Sequence, residues 1–250
     1  MKKVVYFLMS ILLFITISGC NSIKKETSNN NEIKKETKKD KKSEDYKIEI
    51  KEKTKKIVDN ISATYTSVIV TNSKKEKESD KINDYLAERV NVYLNEFEES
   101  LKEEYSKDLS YVFDFKYSLV EQNTKYIIFK LTYYYKIGGP YPVDATLYFM
   151  FDTSTGEIVK FDDLFSENSK KDVYDFVLKY LKKVYKESEI EYLDDDYDLE
   201  DGMFKEGYYL FSDGKLSFHF PRSEFTAAAF GSINIDINES VYSKYVKDDK

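Results

Sequence analysis

The sequence predicts an α+β fold, an antiparallel sheet with helices packed on one face, and three observations carry that expectation. Strand-like alternation recurs from Tyr111 to Phe151 and again near the C-terminus, two stretches step at helical spacing, and the runs of strands are separated by the helices. Alternation that is apolar on one side only fits strands with one covered face. Lys47 to Val58 and Ser62 to Val70 are rich in Ile, Val, Thr and Tyr and read as strands. A long helix follows at about 75–107, where Ile82, Leu86, Val90, Tyr93, Phe97 and Leu101 share one face. The period then changes to two: Tyr111, Phe113, Phe115, Tyr117 and Leu119 alternate with mostly polar residues, as do Ile127, Phe129, Leu131, Tyr133 and Tyr135. Gln122-Asn123-Thr124 turns the first run into the second, which makes a hairpin.

A third strand puts Ala145, Leu147, Phe149 and Phe151 on one side, and Asp152-Thr153-Ser154-Thr155-Gly156 turns it into a short strand ending near Phe161, so the sheet spans about 111–161. Asp162 and Asp163 are placed to cap a second helix at about 172–186, with Val173, Phe176, Val177, Tyr180, Leu181 and Val184 inward. Closing strands lie at about 206–237: Leu216, Phe218 and Phe220 follow the turn Ser212-Asp213-Gly214, and Ile233, Ile235 and Ile237 alternate with Asn234, Asp236 and Asn238.

The N-terminus reads as an address rather than as part of the fold. Lys2 and Lys3 precede a mostly apolar run from Val4 to Ile17, too short to span a bilayer comfortably, and Ser18-Gly19-Cys20 follows. Small residues before a cysteine resemble the lipobox of bacterial lipoproteins. That likeness implies a signal peptide over 1–19, cleavage before Cys20, and lipid on its thiol with acyl chains such as palmitate. Cys20 is the only cysteine, so once lipidated it leaves no disulfide, thiolate metal site or cysteine nucleophile. Residues 20–46 carry almost nothing to bury and read as a disordered tether of about 30 Å mean reach. Residues 47–250 read as one folded domain.

That domain holds 29 Lys and Arg against 40 Asp and Glu, a net charge of −11. An acidic surface disfavours nucleic acid and speeds encounter with cationic partners. Candidate chemistry is sparse. His219, the only histidine, falls on the polar side of its strand beside Ser217 and reads as a solvated residue, because neither a nucleophile motif nor a metal-ligand cluster accompanies it. Glu187 to Asp201 holds nine carboxylates, but an EF-hand loop laid from Asp194 meets Leu199 where Gly is required and Lys205 where Glu is required. We therefore expect a solvated acidic loop, with no cofactor or metal. Glu224 and Asp163 are a conceivable glycosidase pair that nothing in the sequence brings together. Tyr133 to Pro142, with Gly138-Gly139-Pro140, fixes an unusual backbone between two strands and presents Tyr141. Tyr135, Gly138, Gly139 and Tyr141 are the candidate ligand-binding residues, set against the alternative that they complete a structural turn.

Three segments carry a family resemblance: Tyr133 to Pro142; Tyr148 to Phe165, reading YFMFDTSTGEIVKFDDLF; and Leu216 to Ile237, reading LSFHFPRSEFTAAAFGSINIDI. They are similar to the extracytoplasmic domain of unknown function shared by RsiV-type anti-sigma factors and PdaC-type peptidoglycan deacetylases. The chain departs from that pattern at Pro140-Tyr141, where Ala-His is frequent, and at Thr226-Ala227-Ala228, where Pro-Tyr-Ala is frequent. The resemblance implies an extracytoplasmic binding domain whose ligand is a lysozyme-like protein or peptidoglycan. The expectation is thus a membrane-anchored binding lipoprotein rather than an enzyme. Alternatives are an enzyme acting on envelope glycan and a scaffold without a soluble ligand.

Overall fold

A computed structural model describes residues 46–58, 60–106, 108–137, 142–185, 202–222, 224 and 230–247. The signal run, Cys20, nearly all of the tether and the acidic run 187–201 lie outside the described residues. No described helix is long and apolar enough to cross a membrane.

The fold is α+β, with two sheets. β1 (Lys47–Val58) and β2 (Ile61–Thr71) form an antiparallel hairpin, α1 (Glu76–Glu104) follows, and β3 (Tyr111–Gln122), β4 (Tyr126–Ile137) and β5 (Val143–Asp152) continue the first sheet in the order β1-β2-β3-β4-β5. The sheet is not wholly antiparallel. α1 returns the chain to the end from which β2 began, so β2 and β3 pair parallel over Ala63–Tyr65 and Phe113–Phe115. This parallel ladder is short, and the hydroxyl of Thr66 prolongs it by accepting from the Tyr117 amide at 2.7 Å. At the far end of β2 the Asn83 side chain of α1 accepts from Val70 N and donates to Val70 O at 2.7 and 2.9 Å, as a neighbouring strand would.

The helical stripe of α1 is buried as its spacing predicts: Ile82, Leu86, Val90, Leu94, Phe97 and Leu101 lie against Phe113, Phe115, Tyr117, Phe129, Leu131, Phe149 and Phe151. Tyr93 is half-buried at the edge of the same stripe.

A second core lies on the opposite face of the sheet. Ile128 and Met150 project into it between residues that face α1, and it gathers α2 (Phe161–Leu164), α3 (Ser169–Val184), the sheet β6 (Tyr209–Ser212), β7 (Lys215–Phe220) and β8 (Ile233–Asp236), and α4 (Glu239–Tyr242). The helices are therefore divided between the two faces, not gathered on one. The expected strand ending near Phe161 is an isolated bridge between Phe151 and Ile158, and Phe161 opens α2 instead, where the Asp163 carboxylate accepts from the Lys160 amide at 2.8 Å. α3 begins three residues before its expected start, and its buried stripe narrows to Val173, Val177 and Leu181; Val184 is exposed and Phe176 and Tyr180 are half-buried. β6, within the span expected for the closing strands, follows Gly207, which bridges Tyr148 and covers the edge of β5.

Both cores are closed by residues between 46 and 242, and residues 41–250 form one compact unit. The turn after β5 is clamped to the first turns of α1. Lys75 Nζ and the Tyr46 hydroxyl donate to Thr153 O at 3.2 and 2.8 Å, and Lys81 Nζ donates to Thr155 O at 3.1 Å. At Gly156 (φ +69°) a Cβ would sit 2.4 Å from the carbonyl oxygen of Glu78, whereas Gly214 (φ +70°) has open space around it. Gly214→Ala should cost about 1–2 kcal/mol from the left-handed backbone alone. Gly156→Ala should cost about 1–3 kcal/mol more, because α1 must move away. Urea denaturation of the two variants measures the difference.

Candidate functional site at the tyrosine pole

β4 ends at Ile137, and Gly138, Gly139 and Tyr141 of the candidate site lie outside the described residues. Tyr135 is described and half-buried. Its alternation with Tyr133 places both rings on the α1 face, with centroids 6.2 Å apart, and Tyr133 lies 5.2 Å from Tyr93 of α1. Tyr93, Glu96, Phe97 and Ser100 recur at three- and four-residue spacing, so α1 presents them as one stripe. Between that stripe and Tyr135 and Ile137 lies a depression of about 280 Å3.

Burial is the main force pushing the Tyr135 phenol above its ordinary pKa, and the nearby Glu96 carboxylate adds to it. Tyr93 is also raised, mainly by burial. Ser100 Oγ is spent on Glu96 O at 2.8 Å, one turn back. Two further rings flank this end of the molecule: Tyr105 and Tyr111 stack at 5.8 Å, and the Tyr111 hydroxyl accepts from the Ser106 amide at 2.8 Å. The set of groups is aromatic faces, phenol and serine hydroxyls and one carboxylate. Ring faces are electron-rich, and with an adjacent carboxylate they attract ammonium or guanidinium groups. On the other face of β4, Tyr134 is 40% exposed and stands opposite Asp114 and Asp144 of its neighbouring strands. Sequence reasoning found Tyr135. It missed Glu96 and Ser100, whose only signal is that they adjoin Tyr93 and Phe97 where a polar flank meets the apolar stripe.

The other sequence candidates fall elsewhere. Glu224 pairs with Lys205 at 3.2 Å and Asp163 caps α2, so each carboxylate is engaged in its own local contact. Among the described residues no group of three or more His, Cys, Asp and Glu is arranged for a metal ion. His219 is not a solvated residue. Tyr148 of β5 packs on its ring at 4.5 Å, Nδ1 donates to Asn234 Oδ1 at 2.7 Å, and Nε2 accepts from Ser217 Oγ at 2.9 Å. This neutral tautomer has the outline of a nucleophile-base-orienter relay. β7 is the middle strand of its sheet, however, with neighbours on both sides, so its amides are spent in the ladders rather than offered to an oxyanion.

Burial holds the His219 imidazole below the ordinary histidine value, against smaller opposing effects of Asn234 and Asp236. A depressed folded pKa means that, below about pH 6.5, the unfolded chain binds more protons than the folded one. The contribution is complete above that pH and is lost as pH falls through the folded value. The thermal midpoint should therefore drop between pH 7 and pH 5.5, and His219→Gln should flatten that drop; calorimetry across this range tests it.

No family model matches the chain, and no curated protein matches it. Solved structures share its fold, two of them from the DUF3298 family. One is a member of the DUF3298 family from Bacteroides fragilis NCTC 9343, with TM-score 0.61 and 15% identity, covering 81% of this chain and 94% of that one. The other is a DUF3298 family protein from Pseudomonas aeruginosa PAO1, with TM-score 0.51 and 12% identity over the same shares. The chain thus folds like DUF3298 domains, a domain of unknown function.

Proposed function

We propose that the chain is an extracytoplasmic lipoprotein, held to the cell membrane by lipid on Cys20, whose domain captures a cationic lysozyme-like protein at the tyrosine pole. The observation that supports this reading best is the depression of Tyr93, Glu96, Ser100 and Tyr135, which combines aromatic faces with a carboxylate. A lysine or arginine side chain entering it gains cation-π attraction and an ion pair in a half-desolvated site, worth about 1–2 kcal/mol for the ring alone. The net charge of −11 over residues 47–250 adds long-range steering of a basic partner.

The chain enters the domain at the opposite end of the sheet. Tyr46 is fixed there by its hydroxyl on Thr153 O and by Gln122 Nε2 on its own carbonyl. In this reading the domain acts by binding and needs no cofactor. A glycan stacked on Tyr135 would use the same rings, but Glu96 favours the cation.

Residues 41–250 should bind immobilised lysozyme saturably at physiological salt, with an on-rate that falls as salt rises. Tyr135→Ala and Glu96→Gln should each weaken binding about tenfold, while Tyr134→Ala, on the other face of β4, should leave it nearly unchanged. Loss of all binding at physiological salt, or indifference to both substitutions, would remove this reading. Separately, Cys20→Ser should release the protein from the membrane fraction.

A further inference from the structure

The two edges of the first sheet differ. On β5 the Tyr148 amide donates to Gly207 O at 2.9 Å and Met150 O accepts from the Val159 amide at 2.7 Å, so that edge is covered. β1 is the other edge, and among the described residues no strand pairs with its outer side. It runs for 12 residues, Lys47–Val58, and keeps an unbroken antiparallel register with β2 as far as Lys56, without proline or bulge. Pairing with one antiparallel neighbour engages the amides and carbonyls of alternate residues and turns the others outward. β1 thus presents a row of backbone donors and acceptors long enough to take another strand.

We propose that β1 takes an extended acidic segment of a partner protein as a sixth strand. Charge decides the occupant. β1 holds five lysines against two glutamates, a net charge of +3 in a domain whose net charge is −11. Glu49 is paired with Lys51 at 2.6 Å, Glu52 lies 3.9 Å from Lys116 of β3, and Lys55 is paired with Glu98 of α1. Lys47, Lys53 and Lys56 have no ion-pair partner among the described residues. Residues 51–56 are exposed throughout. Carboxylates at alternate positions of an added strand therefore stand beside the lysines at 51, 53 and 55, where opposite charges across a strand pair attract.

A second copy of the chain is a poorer occupant. Laid antiparallel about Lys53, two β1 strands oppose Lys53 to itself and Lys51 to Lys55, and like charges directly opposite destabilise a strand pair. The lysines thereby reject the domain's own edge, the common danger of an open sheet, and leave it open to the opposite charge. A polyanion without a peptide backbone is also matched less well. Glu49 and Glu52 interrupt the lysines, and the outward amides and carbonyls alternate as those of another strand do. Main-chain hydrogen bonds then supply the attachment and the lysines the selection. Only β1 enters this reading, so it is independent of the tyrosine pole.

The test uses residues 41–250 and three short synthetic peptides with blocked ends: one alternating Glu and Thr, one alternating Lys and Thr, and the Glu-Thr sequence with every amide N-methylated, which keeps the charge and removes the donors. Fluorescence anisotropy at physiological salt reads affinity, and amide hydrogen exchange reads β1. The Glu-Thr peptide should bind saturably and slow exchange of the outward β1 amides. The Lys-Thr and N-methylated peptides should each bind about tenfold more weakly or not at all. Lys53→Glu combined with Lys56→Glu should weaken the Glu-Thr peptide about tenfold; should that variant not fold, Lys53→Gln with Lys56→Gln decides by the direction of the same change. Tyr135→Ala should leave peptide binding unchanged, so this proposal and the tyrosine pole fail separately. The proposal is overturned if the Glu-Thr peptide does not saturate, if the N-methylated peptide binds as tightly, or if β1 amides become protected with rising domain concentration alone, which makes a second copy the occupant.

Discussion

The structure depends on β4 and β5 burying both faces at one end and only one face at the other. At the Tyr126 end, Ile127 and Phe129 enter the α1 core while Ile128 enters the second core, and Phe149 and Phe151 do the same beside Met150. Toward Ile137 the second core has ended, and the outer face carries Thr132 and Tyr134, both exposed. A strand buried on both faces must read as a continuous apolar run, and one buried on a single face must alternate. β4 contains both patterns in succession, Tyr-Ile-Ile-Phe and then Leu-Thr-Tyr-Tyr-Tyr. That change of pattern fixes where the second module sits, and with it the two ends of the molecule.

The two ends differ in how they are held. At the Tyr126 end, turns are fastened by side chains from distant sequence: Tyr46 and Lys75 to Thr153, Lys81 to Thr155 and Glu157, Lys247 to Asp162 O. The Tyr46 bond is buried and the lysine contacts are partly or fully exposed and individually weak, but together they fasten the turns at this end. The opposite end is held by rings. Tyr93, Phe115, Tyr133 and Tyr135 form a row with centroid spacings between 5.2 and 6.2 Å, where apolar area and ring geometry contribute together. The tyrosine pole is thus a preorganised aromatic surface, whose rings are already ordered in the fold.

His219 links these arrangements. It lies on the second sheet but is packed by Tyr148 of the first, next to Gly207, which covers the edge of β5. The segment 207–222 thus fastens one sheet to the other: His219 N bonds Tyr208 O, Tyr148 N bonds Gly207 O, and Arg222 bonds Asp144 through both its side chain and its amide. An imidazole kept neutral in such a joint serves packing while it is uncharged, and protonation works against the joint.

The sequence by itself determined the members of the main strands and of the long helix. The stripe from Ile82 to Leu101, the alternation of β3 to β5 and the pairs Leu216/Phe218 and Ile233/Ile235 were legible because a local period states which side of a helix or strand is apolar. The place of Tyr135 on the α1 face was legible for the same reason. What only the tertiary structure decided was which faces meet. The parallel pairing of β2 with β3, the division of the helices between two cores, the conversion of the Phe161 segment into a helix, the burial of His219 under Tyr148 and the meeting of Glu96 with Tyr135 all join residues far apart in the chain. Periodicity is a local property, whereas those contacts are chosen by the shared burial of surfaces that no single segment contains.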